Sequence, residues 1–160
     1  PGFAQYTVGM SQRDPIRVFV THNWQGSDDY LRVFEFLESA RNFYYRNCST
    51  PEKPPADTGI EARREDLRRQ INGAEVLVAL GSLIATQPEL LVFQVNYAKS
   101  SNKPVVLLGG FGRDIEIPRY ITDLADERVG WDERALVDAI RRQARHEEST
   151  RWDTIEFKLE

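Results

Sequence analysis

The chain has 160 residues, 41% of them apolar, a formal net charge of −4 and a single cysteine. That mass suffices for one domain with a real core, while the acidic balance excludes a broad nucleic-acid-binding surface, which needs basic charge. One thiol excludes a disulfide framework or a thiolate metal site, and two histidines far apart in sequence, His22 and His146, cannot alone cage a metal.

Residues Pro1 to Gly9 precede the only methionine, Met10, and read as a vector or processing remnant before a native start there; residues 1–14 together read as a tag or disordered lead-in to the domain. Ile16 to Thr21 (IRVFVT) is β-branched and apolar, a first strand. The polar and aromatic cluster His22, Asn23, Trp24, Gln25, Gly26, Ser27 follows as a loop, and Ser27 or Asp28 can cap a first helix. Tyr30, Val33, Phe34, Leu37 and Ala40 line that helix at helical spacing.

Asn42 to Arg46 (NFYYR) reads as a short aromatic second strand, and Asn47 to Gly59, with three prolines, as a long loop. Ile60 to Ile71 is a charged helix with a thin apolar stripe of Ile60, Leu67 and Ile71. Its arginines alternate with carboxylates, the pattern of a solvated face laced with ion pairs. Ala74 to Leu80 is a nearly continuous apolar run, as expected of a central parallel strand covered on both faces. Gly81 and Ser82 open a small-residue loop, and Pro88 suits the first position of the next helix, with Glu89 at the positive end of its dipole. Leu91, Val95 and Ala98 share one face of this helix; Leu90, Gln94 and Tyr97 share an adjoining one.

Pro104 to Leu108 is a fourth strand, followed by the flexible loop Gly109, Gly110, Phe111, Gly112. Pro118 to Ala125 reads as a short helix, Arg128 to Trp131 as an edge strand, and Asp132 as the cap of a last helix carrying Leu136, Ala139, Ile140 and Gln143. The domain spans residues 15–146; in the tail, residues 147–160, Ile155, Phe157 and Leu159 alternate with charged residues, the pattern of a strand added to a sheet edge or a partner. Alternating strands and helices predict an α/β fold: a single flavodoxin-like domain with a five-stranded parallel sheet and helices on both faces. The loops HNWQGS, NCSTP, GSLIATQ and GGFG then share one rim, at the carboxyl ends of the strands, where open α/β sheets bind ligands.

That rim lacks the familiar motifs. There is no G-x-x-x-x-G-K-[ST] phosphate loop, no G-x-G-x-x-G after the first strand and no G-x-S-x-G elbow around Ser82. His22-Asn23 and Gly81-Ser82 stand where a phosphorylated receiver domain needs acidic residues. On its residues alone, Trp24 either stacks on a ligand ring or covers the sheet edge, and His22 either meets a ligand or bonds a neighbouring loop. Asn47, Ser49 and Ser82 are further polar candidates on the rim, and Cys48 reads as a filler.

The succession IRVFVTHNW, NFYYRNCSTP, LRRQINGAEVLVALGS, ELLVFQVNYAKSSNKPVVLL and VGWDERALVDAIRR resembles the TIR-like family of small flavodoxin-fold bacterial and archaeal proteins, including the TIR proteins of Thoeris antiphage systems. The resemblance runs from about Ile16 to Arg145. It implies cytoplasmic immune signalling through NAD, cleaved in catalytic members at the nicotinamide–ribose bond to make a nucleotide that activates an effector protein. Such members carry W-x-x-x-E on the helix after the third strand; here Leu90 replaces the Trp and Gln94 the catalytic Glu. The resemblance therefore assigns Gln94 to the catalytic position, and the rim residues His22, Asn23, Trp24, Ser49, Gly81 and Ser82 are the candidates for nucleotide binding, while composition argues for no metal, no nucleic acid and no membrane span. Glutamine keeps the shape and loses the charge. It is either a change made to trap a ligand or a natural departure, which the absent Trp favours; the alternative function is a non-catalytic nucleotide sensor or an adaptor that self-associates through its helices or tail. If only the charge is missing, Gln94→Glu restores cleavage.

Overall fold

The computed structural model describes residues 13–147; most of the lead-in and the tail, with its possible added strand, lie outside the described residues. The strands are β1 (Ile16–Val20), β2 (Tyr45–Asn47), β3 (Val76–Leu80), β4 (Val105–Leu108) and β5 (Glu127–Val129). They form one sheet in the order β2-β1-β3-β4-β5, with every neighbouring pair parallel. Every residue of β3 and β4 is buried, because helices cover both faces of these central strands. The edge strands β2 and β5 keep no fully buried residue.

The helices are α1 (Asp28–Ser39), α2 (Ile60–Asn72), α3 (Pro88–Ser100), α4 (Arg119–Thr122) and α5 (Glu133–Arg145), with a 3-10 helix at Gly81–Ala85. α1 packs beside α5, and α2 beside α3, giving the two outer layers. Ser27 caps α1, its hydroxyl accepting from the Tyr30 N–H at 3.1 Å. Asp132 caps α5 in the same way through the Ala135 N–H at 2.8 Å. Among the described residues no helix is long and apolar enough to cross a membrane.

Several elements differ from the sequence expectation: the last strand runs Glu127–Val129, which leaves Trp131 outside it, and the short helix before it is only Arg119–Thr122; the larger departures are at β2 and α2. β2 begins three residues later than the aromatic run, because Asn42 turns the chain with φ of 55°. Phe43 is then buried beneath the Arg141 guanidinium and stacked on Tyr45, instead of pairing with β1. On α2 the stripe is real at Leu67 and Ile71, but Ile60 is 69% exposed. The helix is buried only over its second half, where Gln70, a polar residue, takes the remaining inner position.

The amino edge of the sheet is held by Glu75, which accepts from the Arg17 backbone N–H at 3.0 Å and from Arg145 at 2.6 and 2.9 Å. Arg145 also donates to the carbonyls of Asp14 and Pro15, so the domain takes in Asp14 from the expected lead-in. Burial alone raises the Glu75 carboxyl, but the two arginines outweigh it and hold Glu75 below the usual carboxylate range. Chain order reverses between β1 and β3, which opens a crevice beyond their carboxyl ends.

Candidate functional site

A cleft of about 440 Å³ occupies that crevice, within the usual size range of small-molecule sites. Three segments wall it: Asn23 with the Gln25–Asp29 turn and Arg32, then Ser82, Leu83, Ala85 and Thr86 of the 3-10 helix, then Phe111 and Arg113 after β4. The structure thus joins HNWQGS, GSLIATQ and GGFG at one place. The fourth rim segment, NCSTP, does not border the cleft.

Each wall has a local cause. Asn23 Oδ1 accepts from the Gln25 N–H at 3.2 Å, an Asx turn that leads into the Ser27 cap. The cap sets Asp28 and Asp29 in the first turn of α1, where the helix dipole favours carboxylates. Gly81 starts the second wall because nothing larger fits: a Cβ there would stand 2.5 Å from Ile117 Cδ1 and 2.8 Å from the Leu108 carbonyl. Gly112, with φ of 65°, turns the third wall so that Phe111 and Arg113 both face the cleft.

The cleft is charged and planar in character. The Arg32 guanidinium lies 3.9 Å from the centre of the Phe111 ring, a cation–π stack, and Trp131 meets that ring edge-on at 5.5 Å. Trp131 is fixed in turn by donating to the Gly109 carbonyl at 2.9 Å. The Asp29 side chain is only 7% exposed, and its nearest cation is Arg113 Nη2 at 4.0 Å. Asp29 Oδ2 and Arg32 Nε are buried atoms that make no hydrogen bond within the chain. The sequence placed the Phe111 loop on the rim without singling out its ring, and gave no sign of Asp29, Arg32 or Arg113. Asp29 and Arg32 looked like ordinary helix residues, and only the turn of the chain brings Arg113 across from Asp29.

The sequence-derived candidates divide into two groups. Asn23 and Ser82 line the cleft; Gly81 is buried, just before Ser82 at the start of the 3-10 helix. His22, Trp24, Ser49 and Gln94 do not border it, and each is engaged elsewhere. Tyr30 Oη donates to Ser49 Oγ at 2.8 Å, Ser49 Oγ donates to Asn47 Oδ1, and Asn47 Nδ2 returns to Tyr30 Oη at 3.1 Å. This closed triangle ties α1 to the end of β2. Burial, the largest influence there, raises the Tyr30 phenol despite those bonds. Cys48 points its thiol at the Gly73 carbonyl, 3.5 Å away.

His22 belongs to a second circuit. Its Nδ1 accepts from the Trp24 N–H at 3.1 Å, so the ring proton is on Nε2, which donates to Gln70 Oε1 at 2.8 Å. Gln70 Nε2 donates to Asp66 Oδ2 at 2.9 Å, and the Trp24 indole N–H reaches the same oxygen at 3.1 Å. Trp24 closes the ring only by taking φ of 62°, a conformation that costs a bulky L residue about 1 kcal/mol. Its indole faces α2, with Arg63 above it at 5.8 Å. Burial lowers the His22 pKa, against smaller opposing effects from Gln70, Asp66 and Glu52, and keeps the imidazole neutral.

Gln94 is 0% exposed. Its Oε1 accepts from the His22 N–H at 3.0 Å and its Nε2 donates to the His22 and Leu90 carbonyls, each at 3.0 Å. Every polar atom of this amide is used by backbone. Among the described residues no group of His, Cys, Asp or Glu side chains converges to hold a metal. Compared with models of known protein families the chain matches none, and no curated protein matches it.

Proposed function

We propose that this domain binds NAD or a related nucleotide in the rim cleft and acts as a TIR-like sensor or relay in bacterial immune signalling, without cleaving its ligand. The observation that carries the reading is the composition of the cleft: two guanidinium groups, a stacked aromatic ring and the Ser82 and Thr86 side chains at a topological switch point. Guanidinium groups recognise phosphate, and aromatic and guanidinium planes accept a base. The reading without turnover is supported by Gln94, whose amide is spent on the His22 backbone and offers no charge to a developing ribose cation. A signalling role of this kind belongs to the cytoplasm and implies an effector protein downstream, reached through the nucleotide or by self-association.

The test is an amide NMR titration with NAD, combined with a count of free nicotinamide. Expected are shifts at Asn23, Ser82, Thr86, Phe111 and Arg113, and no nicotinamide above that in buffer. Shifts confined to α2, or none, sink the binding reading. Rapid release of nicotinamide sinks the sensor reading and returns the domain to the enzymes.

A further inference from the structure

The least explained atom of the cleft is Asp29 Oδ2. A carboxylate this deeply buried normally accepts several hydrogen bonds, since an unmet buried charge is costly. This oxygen accepts none within the chain. Arg113 Nη2, at 4.0 Å, is beyond hydrogen-bond distance. Arg113 itself is 64% exposed, so its guanidinium is free to turn outward to an anion.

We infer that Asp29 is the hydroxyl acceptor of the cleft and that, with Arg113, it selects a phosphorylated ribose with its vicinal hydroxyls intact. This rests on the nucleotide reading above and names the part of the nucleotide that is read. The argument is one of matching donors. Oδ2 lacks a hydrogen, and a neutral O–H supplies one without bringing a second charge into the pocket. An ammonium ligand is disfavoured by Arg113 and Arg32, which line the same cleft. A bare phosphate is repelled by the Asp29 carboxylate. A sugar phosphate satisfies both sides, its hydroxyls donating to Asp29 and its phosphate accepting from Arg113. A vicinal diol suits a carboxylate because two O–H donors meet two oxygens.

The experiment titrates the full chain by NMR with four probes: ribose 5-phosphate, 2-deoxyribose 5-phosphate, inorganic phosphate and NAD. Wild type should bind ribose 5-phosphate about tenfold or more tightly than the 2-deoxy sugar, and inorganic phosphate weakest, since a hydrogen bond to a charged group is worth roughly that factor or more. Asp29→Ala should erase the ribo/deoxy preference and weaken ribose 5-phosphate and NAD roughly ten- to a hundredfold. Arg113→Ala should weaken every phosphorylated probe while the ribo/deoxy preference persists. Glu35→Gln, an exposed change on the same helix, should alter neither. If Asp29→Ala fails to fold, Asp29→Asn and the wild-type preference between the two sugars carry the test.

Equal binding of the two sugars by wild type overturns the inference, as does NAD binding in the cleft that Asp29→Ala leaves unchanged; the nucleotide reading survives that second result. Ribose 5-phosphate binding that depends on Asp29, without NAD binding, upholds the inference and removes the nucleotide reading. Binding of none of the probes removes both.

Discussion

The side chain of Gln94 brackets His22, taking its N–H at 3.0 Å and giving a hydrogen bond to its carbonyl at 3.0 Å. β1 ends at Val20, and just past that end the α3 amide does for His22 what a neighbouring strand does inside the ladder. Gln94→Glu therefore has a structural consequence. Its carboxylate sets an oxygen against the carbonyls of His22 and Leu90 with no proton between them, at a cost on the order of 3 kcal/mol. Burial and the two carbonyls raise the new carboxyl's folded pKa above its unfolded value. Protonation lets it donate to one carbonyl, so the variant should be near wild-type stability below the unfolded carboxyl pKa and lose stability as pH rises through the raised folded pKa. Urea unfolding at pH 4 and pH 8, each against wild type, checks this. No nicotinamide release is expected at either pH. Restored cleavage with unchanged stability would mean that the amide is not the backbone clamp its geometry indicates.

His22 gives the wild-type protein a pH dependence of its own. Its folded pKa lies below the usual 6.5 because burial disfavours the charged ring. Between those two values the unfolded chain binds a proton that the native protein refuses. Stability should thus be full above about pH 6.5 and decline as pH falls toward the folded pKa. Glu75 and Glu127, both held below the usual 4.5 by arginines, contribute a separate loss at lower pH. In His22→Gln the slope between pH 6.5 and 5 should largely vanish, and the limb below 4.5 should remain. Nitrogen shifts of wild-type His22 should report the Nε2–H tautomer at pH 6.5.

The sheet was legible because its signals are local. β3 and β4 are apolar runs with no competing period, and caps such as Ser27 and Asp132 sit one residue ahead of their helices. β2 was misplaced by three residues because an aromatic run carries no mark of where Asn42 turns the chain. The site was legible only as a rim. Asn23 and Ser82 could be placed from loop order, whereas the use of Gln94 depends on a contact across 72 residues. Spacing on α3 put Gln94 beside the inward stripe. It could not say that the amide would meet backbone instead of open cleft. Arg113 and Asp29 lie 84 residues apart in sequence and meet only through folding.

Gly81 ties the cleft to the layer beneath it. In Gly81→Ala the new methyl meets Ile117 Cδ1 at 2.5 Å and the Leu108 carbonyl at 2.8 Å, and overpacking of this kind costs about 1–3 kcal/mol. Adding Ile117→Val removes the side-chain half of the clash. The double variant should recover part of the loss, though not all, because the Leu108 carbonyl is β4 backbone. Thermal melts of the two single variants and the double variant check this. Full recovery would show that β4 yields easily at this point, and no recovery that the carbonyl carries the whole cost.

Trp24 separates a structural role from a binding one. The indole donates to Asp66 Oδ2, an oxygen that also accepts from Gln70, and it turns toward α2, while its neighbours Asn23 and Gln25, but not Trp24, line the cleft. Trp24→Leu should therefore destabilise the fold by about 2 kcal/mol through the lost hydrogen bond and packing. Asp66→Ala should cost a similar amount, about 2 kcal/mol. Because the two residues share one circuit, the double variant should lose less than the sum, with a coupling on the order of 1 kcal/mol. NAD affinity, measured on the folded fraction, should stay within about twofold in all three, since none removes a group that lines the cleft. A base stacked on an aromatic ring is worth about 1–3 kcal/mol, so a stacking role for the indole predicts a loss of about tenfold or more wherever Trp24 is replaced, and none in Asp66→Ala. The pattern across the three proteins decides: coupled stability with flat affinity assigns Trp24 to the circuit behind the site, and an affinity loss in Trp24→Leu and the double variant but not in Asp66→Ala assigns its ring to the ligand.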